Sequence, residues 1–156
     1  MNSRYILGLA LAITGFGFAP VAAAQDRIQL DSEVEVERTK SEGGQTKVDY
    51  LPPVGVVPGD RLRFTTGYDN RGSTAAENFV VTNPLPEAVA LAKNEDAFVV
   101  SVDQGQTFGT LAELQIKETT GEYRAAELTD VTHIRWTLER VAPGETGTLT
   151  YFGIVR

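Results

Sequence analysis

Residues 56–86 read V-V-P-G-D-R-L-R-F-T-T-G-Y-D-N-R-G-S-T-A-A-E-N-F-V-V-T-N-P-L-P, and this stretch decides the fold class. After a Pro-Gly turn, the apolar residues Leu62, Phe64 and Tyr68 alternate with polar ones, as in a strand with one buried face. A polar turn around Gly72 follows, and then a second apolar run that ends at two prolines. The pattern predicts two adjacent strands of an antiparallel β-sandwich.

Similar alternation recurs on both sides of this stretch, at residues 28–36, 134–138 and 147–155. Shorter strands are predicted at residues 47–51, 88–92, 97–103 and 111–117, and a helical turn at residues 127–130. Short strands with a turn signal roughly every 8–12 residues are typical of a sandwich, so we predict an all-β fold of about seven to nine strands.

The alternating positions also predict the core. Trp136 lies between Ile134 and Leu138 on one strand face, which favours a buried tryptophan over an exposed aromatic that binds sugars or partners. The predicted core residues are Leu62, Phe64, Ile134, Trp136, Leu138, Leu149 and Tyr151.

The first 24 residues match a secretory signal peptide. Arg4 gives a positive start, residues 5–18 form an apolar segment short for a membrane span, and Ala22 and Ala24 provide a small-residue cleavage site. We predict cleavage before Gln25 and export to the periplasm or cell surface, with an uncleaved anchor as the alternative. The predicted organisation is a signal peptide at 1–24, an N-terminal strand or extension at 25–47 and the sandwich domain at 48–156.

Composition limits the function. The chain has 14 Lys+Arg and 21 Asp+Glu. Without Arg4 the basic count falls to 13, so the cleaved protein carries a net charge of −8. Such a surface disfavours nucleic acid and anionic lipid, which both require basic patches. Absence of cysteine excludes thiol catalysis, zinc-thiolate sites and iron–sulfur clusters, and leaves the fold to depend on its core.

Several segments in order resemble a bacterial family, the domain of unknown function eleven, also called the conserved repeat domain. The resemblance covers roughly residues 54–155 and is carried by V-P-G-D at 57–60, Y-D-N-R-G at 68–72, A-A-E-N-F-V-V-T-N-P-L-P at 75–86, I-R-W-T-L at 134–138, V-A-P-G-E at 141–145 and G-T-L-T at 147–150. It implies an immunoglobulin-like sandwich of an exported or surface protein, usually repeated along a long chain. This chain has one copy, preceded by the extension at residues 25–47, and the resemblance implies no catalytic residues.

One constellation in the chain suggests catalysis. His133 is the single histidine, and Asp130 is close to it in sequence, as part of a Ser-His-Asp site would be. No G-x-S-x-G turn supplies a nucleophile, and a single histidine excludes a metal site with several histidines. We therefore predict a protein that is not an enzyme and that has no cofactor.

Acidic and amide side chains near strand ends are the alternative candidates, because calcium binds carboxylate and carbonyl oxygens. They match no calcium-loop pattern, so solvated loops are the favoured interpretation. The candidates are Asp60, Asp69, Asn70, Glu77, Asn94, Glu95, Asp96 and Asp103.

The N-terminal strand leaves two interpretations open. In the first, it pairs within its own molecule, either as the first strand of the sandwich or in a hairpin with residues 47–51. In the second, it adds to the sheet edge of a neighbouring molecule. Its acidic residues Asp31, Glu33, Glu35 and Glu37 share one face, which suits a solvent-facing side in either case. The sequence thus predicts a non-enzymatic structural or protein-interaction module of the cell envelope or surface, or alternatively a filament subunit assembled by strand donation.

Overall fold

The computed structural model of the protein describes residues 28–93 and 97–156. The predicted signal peptide and the candidates Asn94, Glu95 and Asp96 lie outside the described residues. Within them the chain forms ten strands: β1 Ile28–Glu42, β2 Gln45–Leu51, β3 Arg61–Asn70, β4 Ala76–Pro84, β5 Val89–Leu91, β6 Val99–Ser101, β7 Gln115–Lys117, β8 Tyr123–Ala125, β9 His133–Val141 and β10 Thr146–Val155.

Eight of these strands build two sheets that pack face to face. The larger sheet has the order β2–β1–β3–β10–β5 and the smaller one the order β4–β9–β6, while β7 and β8 form a separate ribbon. Every strand pairing is antiparallel. The predicted all-β antiparallel sandwich is confirmed, and the ribbon is an addition to it.

Alternate residues of each strand build the core between the sheets. In β3, Leu62 and Phe64 are buried whereas Arg61 and Arg63 lie on the outer face, so the sequence alternation is the alternation of the two faces. The rings of Phe64 and Tyr151 stack with their centroids 4.6 Å apart. Because Phe64 and Tyr151 face each other in the register of β3 and β10, this stack joins the two central strands.

Six of the seven predicted core residues are buried: Leu62, Phe64, Ile134, Trp136, Leu149 and Tyr151. Leu138 differs, because it is only half-buried. It lies opposite Phe79 of β4, and both side chains pack against the rim of the core rather than inside it.

The chain crosses between the sheets where we expected adjacent strands. β3 belongs to the larger sheet and β4 to the smaller, so the prediction that they are adjacent is wrong. The physical reason is Asn70, which is 1% exposed. Its Nδ2 donates to the carbonyls of Thr74 (3.0 Å) and Val141 (2.9 Å), and its Oδ1 accepts from the Gly72 N–H (3.0 Å). These bonds hold the bend that carries the chain out of one sheet into the other.

A second crossing, from β9 to β10, meets the first at the same residue. The N–H of Gly144 donates to the Asn70 carbonyl at 2.7 Å, and the Asn70 N–H donates to the Glu145 carbonyl at 2.9 Å. Asn70 therefore joins both connections between the sheets through its side chain and its backbone.

The two predicted Pro-Gly turns are confirmed and are built alike. Gly59 has φ +94° and Gly144 has φ +75°, a region that side chains of L-residues rarely adopt. In the first turn the Asp60 carboxylate accepts from the Val57 N–H at 2.9 Å. In the second, the Glu145 carboxylate accepts from the Ala142 N–H at 2.7 Å. The acidic residue after each glycine thus caps its own turn.

The strand predicted at residues 111–117 is only partly correct. Its first half is a single 3₁₀ turn, Leu111–Glu113, and only its end is β7. The Glu113 carboxylate accepts from the N–H and the hydroxyl of Thr110, and this cap favours the turn over an extended chain. The helical turn predicted at residues 127–130 is confirmed as a 3₁₀ turn, Leu128–Asp130.

Candidate functional site

The proposed catalytic pair does not form a triad. Both carboxylate oxygens of Asp130 are bound by Arg124, at 2.6 and 2.7 Å, and this partner lowers the pKa of Asp130. His133 instead has its Nδ1 3.2 Å from the Thr132 hydroxyl. The two residues do line one open cleft of about 300 Å³, next to Glu87. Because Arg124 occupies the carboxylate, Asp130 does not orient the imidazole as a triad requires.

The calcium candidates within the described residues are engaged elsewhere. Asp60 pairs with Arg38 at 2.5 Å, Asp69 pairs with Arg71 at 2.7 Å, and Asn70 is the buried joint between the sheets. Glu77 pairs with Arg140 across the smaller sheet at 2.7 Å. In the described part of the chain, no three acidic or histidine side chains come together in a way that could hold a metal ion.

Asp103, one of the calcium candidates, organises the loop that follows β6. Its carboxylate accepts from the Gln106 and Thr107 N–H groups and from the Ser101 and Thr107 hydroxyls, between 2.6 and 3.1 Å. These bonds, above all those from Thr107, hold the pKa of Asp103 well below its usual range. The signal in the sequence is the spacing S-x-D-x-G-x-T at residues 101–107. The carboxylate is thus used in shaping the loop.

Trp136 is a core residue, as predicted. It is 3% exposed and packs edge-on against Phe98, with the ring centroids 5.6 Å apart. This burial removes Trp136 as a surface aromatic for sugars or partners.

Part of β1 presents a regular backbone edge that no described strand covers. One side of β1 pairs with β3 along Ile28–Val36, and the other side pairs with β2 only from Val36 to Glu42. No described strand pairs with residues 28–35 on the β2 side. We call these eight residues the open edge; they span about 27 Å. Residues 29–33 are all exposed, and Leu30 is 45% exposed.

The outer face of β1 changes character along the strand. Glu35 accepts two hydrogen bonds from Arg63, at 2.9 and 2.5 Å, and the guanidinium of Arg63 lies 3.6 Å from the ring centroid of Tyr50. Glu37 pairs with Arg61 at 3.3 Å. The second half of the acidic face is therefore neutralised by β3, inside the sheet.

The first half of this face has no such partners. Asp31 lies opposite Gly67 and Glu33 lies opposite Thr65, both uncharged. Neither carboxylate forms an ion pair with a described residue. A shallow notch of about 230 Å³ opens beside Asp31 and over Gly67, which has no side chain. The rest of its lining is Gln29, Tyr68, Asp69, Arg71 and Thr146. The open edge is consequently acidic on one face and backed by a recess.

Exposed apolar residues concentrate at the C-terminal end of β2 and in the loop that follows it. Leu51, Val54, Val56 and Val57 follow one another along β2 and its connection to β3, and Val54 is 82% exposed. The connection carries prolines at positions 52, 53 and 58 and no charged residue before Asp60. It is an apolar loop held at its far end by the first Pro-Gly turn.

The N-terminal strand thus forms both predicted pairings inside its own molecule: it is a strand of the sandwich and half of a hairpin. The boundary drawn between residues 47 and 48 falls within β2. No helix among the described residues is long and apolar enough to cross a membrane. Comparison of the chain with protein-family models, curated proteins and solved structures finds no significant match. The resemblance to the conserved repeat domain stays a prediction.

Proposed function

We propose that this protein is an exported, non-enzymatic interaction module that binds a partner protein by adding an extended segment of that partner to the open edge of β1. The observation that carries the proposal is the offset of β2, which covers β1 only from Val36 onward. Strand addition uses the backbone N–H and C=O groups of such an edge for affinity and alternate side chains for selectivity.

Regular geometry supports this edge over the edge of the smaller sheet. β4 is interrupted by Asn78, whose φ is +51°, and ends at Pro84, and both features hinder strand pairing. The open edge of β1 contains neither a proline nor a positive φ. An incoming strand would therefore find a continuous backbone on β1.

Export is the second part of the proposal. It rests on the sequence of the first 24 residues: a positive charge at Arg4, an apolar segment at residues 5–18 and a small-residue cleavage site. We expect protein recovered from a cell-envelope fraction to start at Gln25, which mass spectrometry of the intact protein would read directly. A recovered chain that still begins near Met1 would contradict cleavage and would leave an anchored protein.

Site-specific photo-crosslinking tests the edge. A photoreactive amino acid is placed at Leu30, on the open edge, and in a matched variant at Val80, which is 48% exposed on β4 of the other sheet. We expect crosslinks in the cell envelope from position 30 and not from position 80. Amide hydrogen exchange of residues 28–35 should then slow when the captured partner is added, because the edge N–H groups become hydrogen-bonded.

The masses of the crosslinked products separate the outcomes. A product with a different protein supports the module. A ladder at multiples of the protein's own mass supports a filament, which was the alternative drawn from the sequence. Equal crosslinking from positions 30 and 80, or none from position 30, would contradict the assignment of the edge.

A further inference from the structure

We infer that the segment received by the open edge is basic: a partner strand with lysine or arginine at alternate positions, aligned with Asp31 and Glu33. The inference rests on the proposed function of the edge and adds the chemistry of the partner. It follows from the distribution of charge along β1, from the pairing that this charge forbids, and from the recess beside Asp31.

On the outer face of β1, the charges of Glu35 and Glu37 are compensated, and those of Asp31 and Glu33 are not compensated by any described residue. Glu35 and Glu37 face Arg63 and Arg61 of β3 and are neutralised there. Asp31 and Glu33 face Gly67 and Thr65, and beyond these lie Thr148 and Thr150 of β10. Two adjacent carboxylates on one strand face thus have no cation directly opposite them on β3, and the other directly opposite position is the one an added strand would fill.

A second copy of this chain does not fit that position. Two open edges that pair antiparallel, with their inner faces on the same side and centred on Ser32, place Asp31 of each copy opposite Glu33 of the other. A shift by two residues in either direction places Asp31 opposite Asp31 or Glu33 opposite Glu33. Like charges directly opposite are destabilising, so repulsion opposes each of these three registers, in which the two open edges overlap most fully around Ser32.

A basic strand meets the opposite situation. Lysine or arginine at positions i and i+2 would stand directly opposite the two carboxylates on the same face. The long side chain beside Asp31 has the notch over Gly67 to lie in, where the carboxylate of Asp69 is also present and is paired with Arg71. Apolar residues between the cations would cover Leu30 on the inner face, which is 45% exposed.

The charge of the whole molecule acts in the same direction. The chain has 21 acidic and 14 basic residues, a net charge of −7. A negative surface speeds the diffusional approach of a cationic segment and slows that of an acidic one. The local carboxylates then select the register.

Peptide binding to the protein purified from expression of the full chain tests the inference. Three dye-labelled eight-residue peptides are compared by fluorescence anisotropy. One alternates lysine with valine or threonine, one has glutamate in place of lysine, and one has glutamine. A fourth peptide repeats the lysine sequence with N-methyl groups on the backbone N–H groups that would pair. We expect the lysine peptide to bind about tenfold more tightly than the glutamine peptide, more weakly as salt rises, and the N-methylated peptide not to bind.

Variants assign the effect to the two carboxylates. The double variant Asp31→Asn, Glu33→Gln should weaken the lysine peptide about tenfold and leave the glutamine peptide unchanged. The matched control is Glu139→Gln, an exposed carboxylate on β9 of the other sheet, which should change neither. Urea unfolding of each variant checks that the fold is intact, which we expect because both edge carboxylates are exposed and form no ion pair with a described residue.

Three results would overturn the inference. Equal binding of the lysine and glutamate peptides would keep strand addition but remove the charge selection. Binding of the N-methylated peptide as tightly as its parent would show attraction between charges without strand pairing. If no peptide binds, the basic strand is wrong, and the crosslinking from position 30 decides separately whether the edge receives a partner at all.

Discussion

The two halves of β1 differ both in their charges and in the strands that pair with them. Residues 28–35 carry only acidic charges, at alternate positions, whereas residues 36–42 carry charges of both signs. Residues 36–42 are paired with β2, Arg38 binds Asp60, and Lys40 lies 3.2 Å from Asp49. Among the described strands, residues 28–35 pair on one side only, with β3. The difference shows that alternation predicts which face a residue occupies, whereas its neighbours decide whether its charge is neutralised.

Deleting residues 25–40 removes all of β1 except its last two residues and should have the largest effect on stability. The deletion takes away the strand between β2 and β3 and uncovers Val36's neighbours in the core. We expect loss of cooperative unfolding, measured by circular dichroism on heating, because the remaining hairpin strand has nothing to pair with. Light scattering of both forms is the control. A polymeric full-length protein that becomes a stable monomer on truncation would instead support strand donation and would break the comparison.

Apolar residues from the two halves should differ in their contribution to stability. Val36 is 1% exposed where β2, β1 and β3 meet, and Leu30 is 45% exposed on the open edge. Val36→Ala should lower the free energy of unfolding by about 2–3 kcal/mol, and Leu30→Ala by less than about 1 kcal/mol. Urea unfolding measures both. Equal losses would mean that the open edge is covered in solution, for example by a second molecule.

Some features of the fold could be predicted from the sequence, and the offset that separates the two halves of β1 could not. The alternation predicted the buried face of β3 and the core position of Trp136, because burial depends on period. The pairing of the N-terminal strand within its own molecule was one of the alternatives that the sequence left open. The offset between β2 and β1 is absent from the pattern. It results from the Gly43–Gly44 turn and from the prolines after Leu51, which together fix where β2 begins and ends.

The alternation of apolar and polar residues also could not predict where the chain crosses from one sheet to the other. Asn70 is an ordinary turn residue by composition, and its location at a strand end predicts a turn. Its role depends on the Val141 carbonyl, which is 71 positions away. Likewise, the arginines of β3 alternate like any solvent-facing residues, and only the register shows that they meet Glu35 and Glu37. Long-range partners of this kind leave no local signal.

Acid should weaken the ion pair between Arg38 and Asp60, which holds the half of β1 that pairs with β2. Arg38, and after it the Val57 N–H, hold the pKa of Asp60 below its ordinary value. A carboxyl group with a lowered folded pKa contributes stability above its unfolded pKa of about 3.9 and loses it as the pH falls through the folded value. We expect Asp60→Asn to be less stable than the natural protein by a constant amount above about pH 5, with the difference shrinking below pH 4. Urea unfolding between pH 3 and pH 7 tests this, and a difference that grows in acid would contradict it.

The smallest expected effect is the coupling energy measured by double-mutant cycles at two neighbouring acidic positions of β1. Glu35 and Arg63 form two hydrogen bonds on a partly exposed face, so Glu35→Gln combined with Arg63→Gln should show a coupling of about 0.5–1 kcal/mol. The matched cycle of Glu33→Gln with Thr65→Val, at the next same-face position along β1, should show less than about 0.2 kcal/mol. Similar couplings in both cycles would remove the electrostatic distinction between Glu35 and Glu33.

Asn70 has a consequence for the order in which the molecule assembles. The β1–β2 hairpin closes a two-residue turn, whereas the bonds of Asn70 to Val141, Gly144 and Glu145 close loops of about 70 residues. Longer loops cost more chain entropy before any contact is made, so local pairs form early and these bonds form late. Asn70→Ala should therefore speed unfolding far more than it slows folding. The residue closes a sandwich whose strands have already paired, and we expect the lifetime of the native state to depend on it.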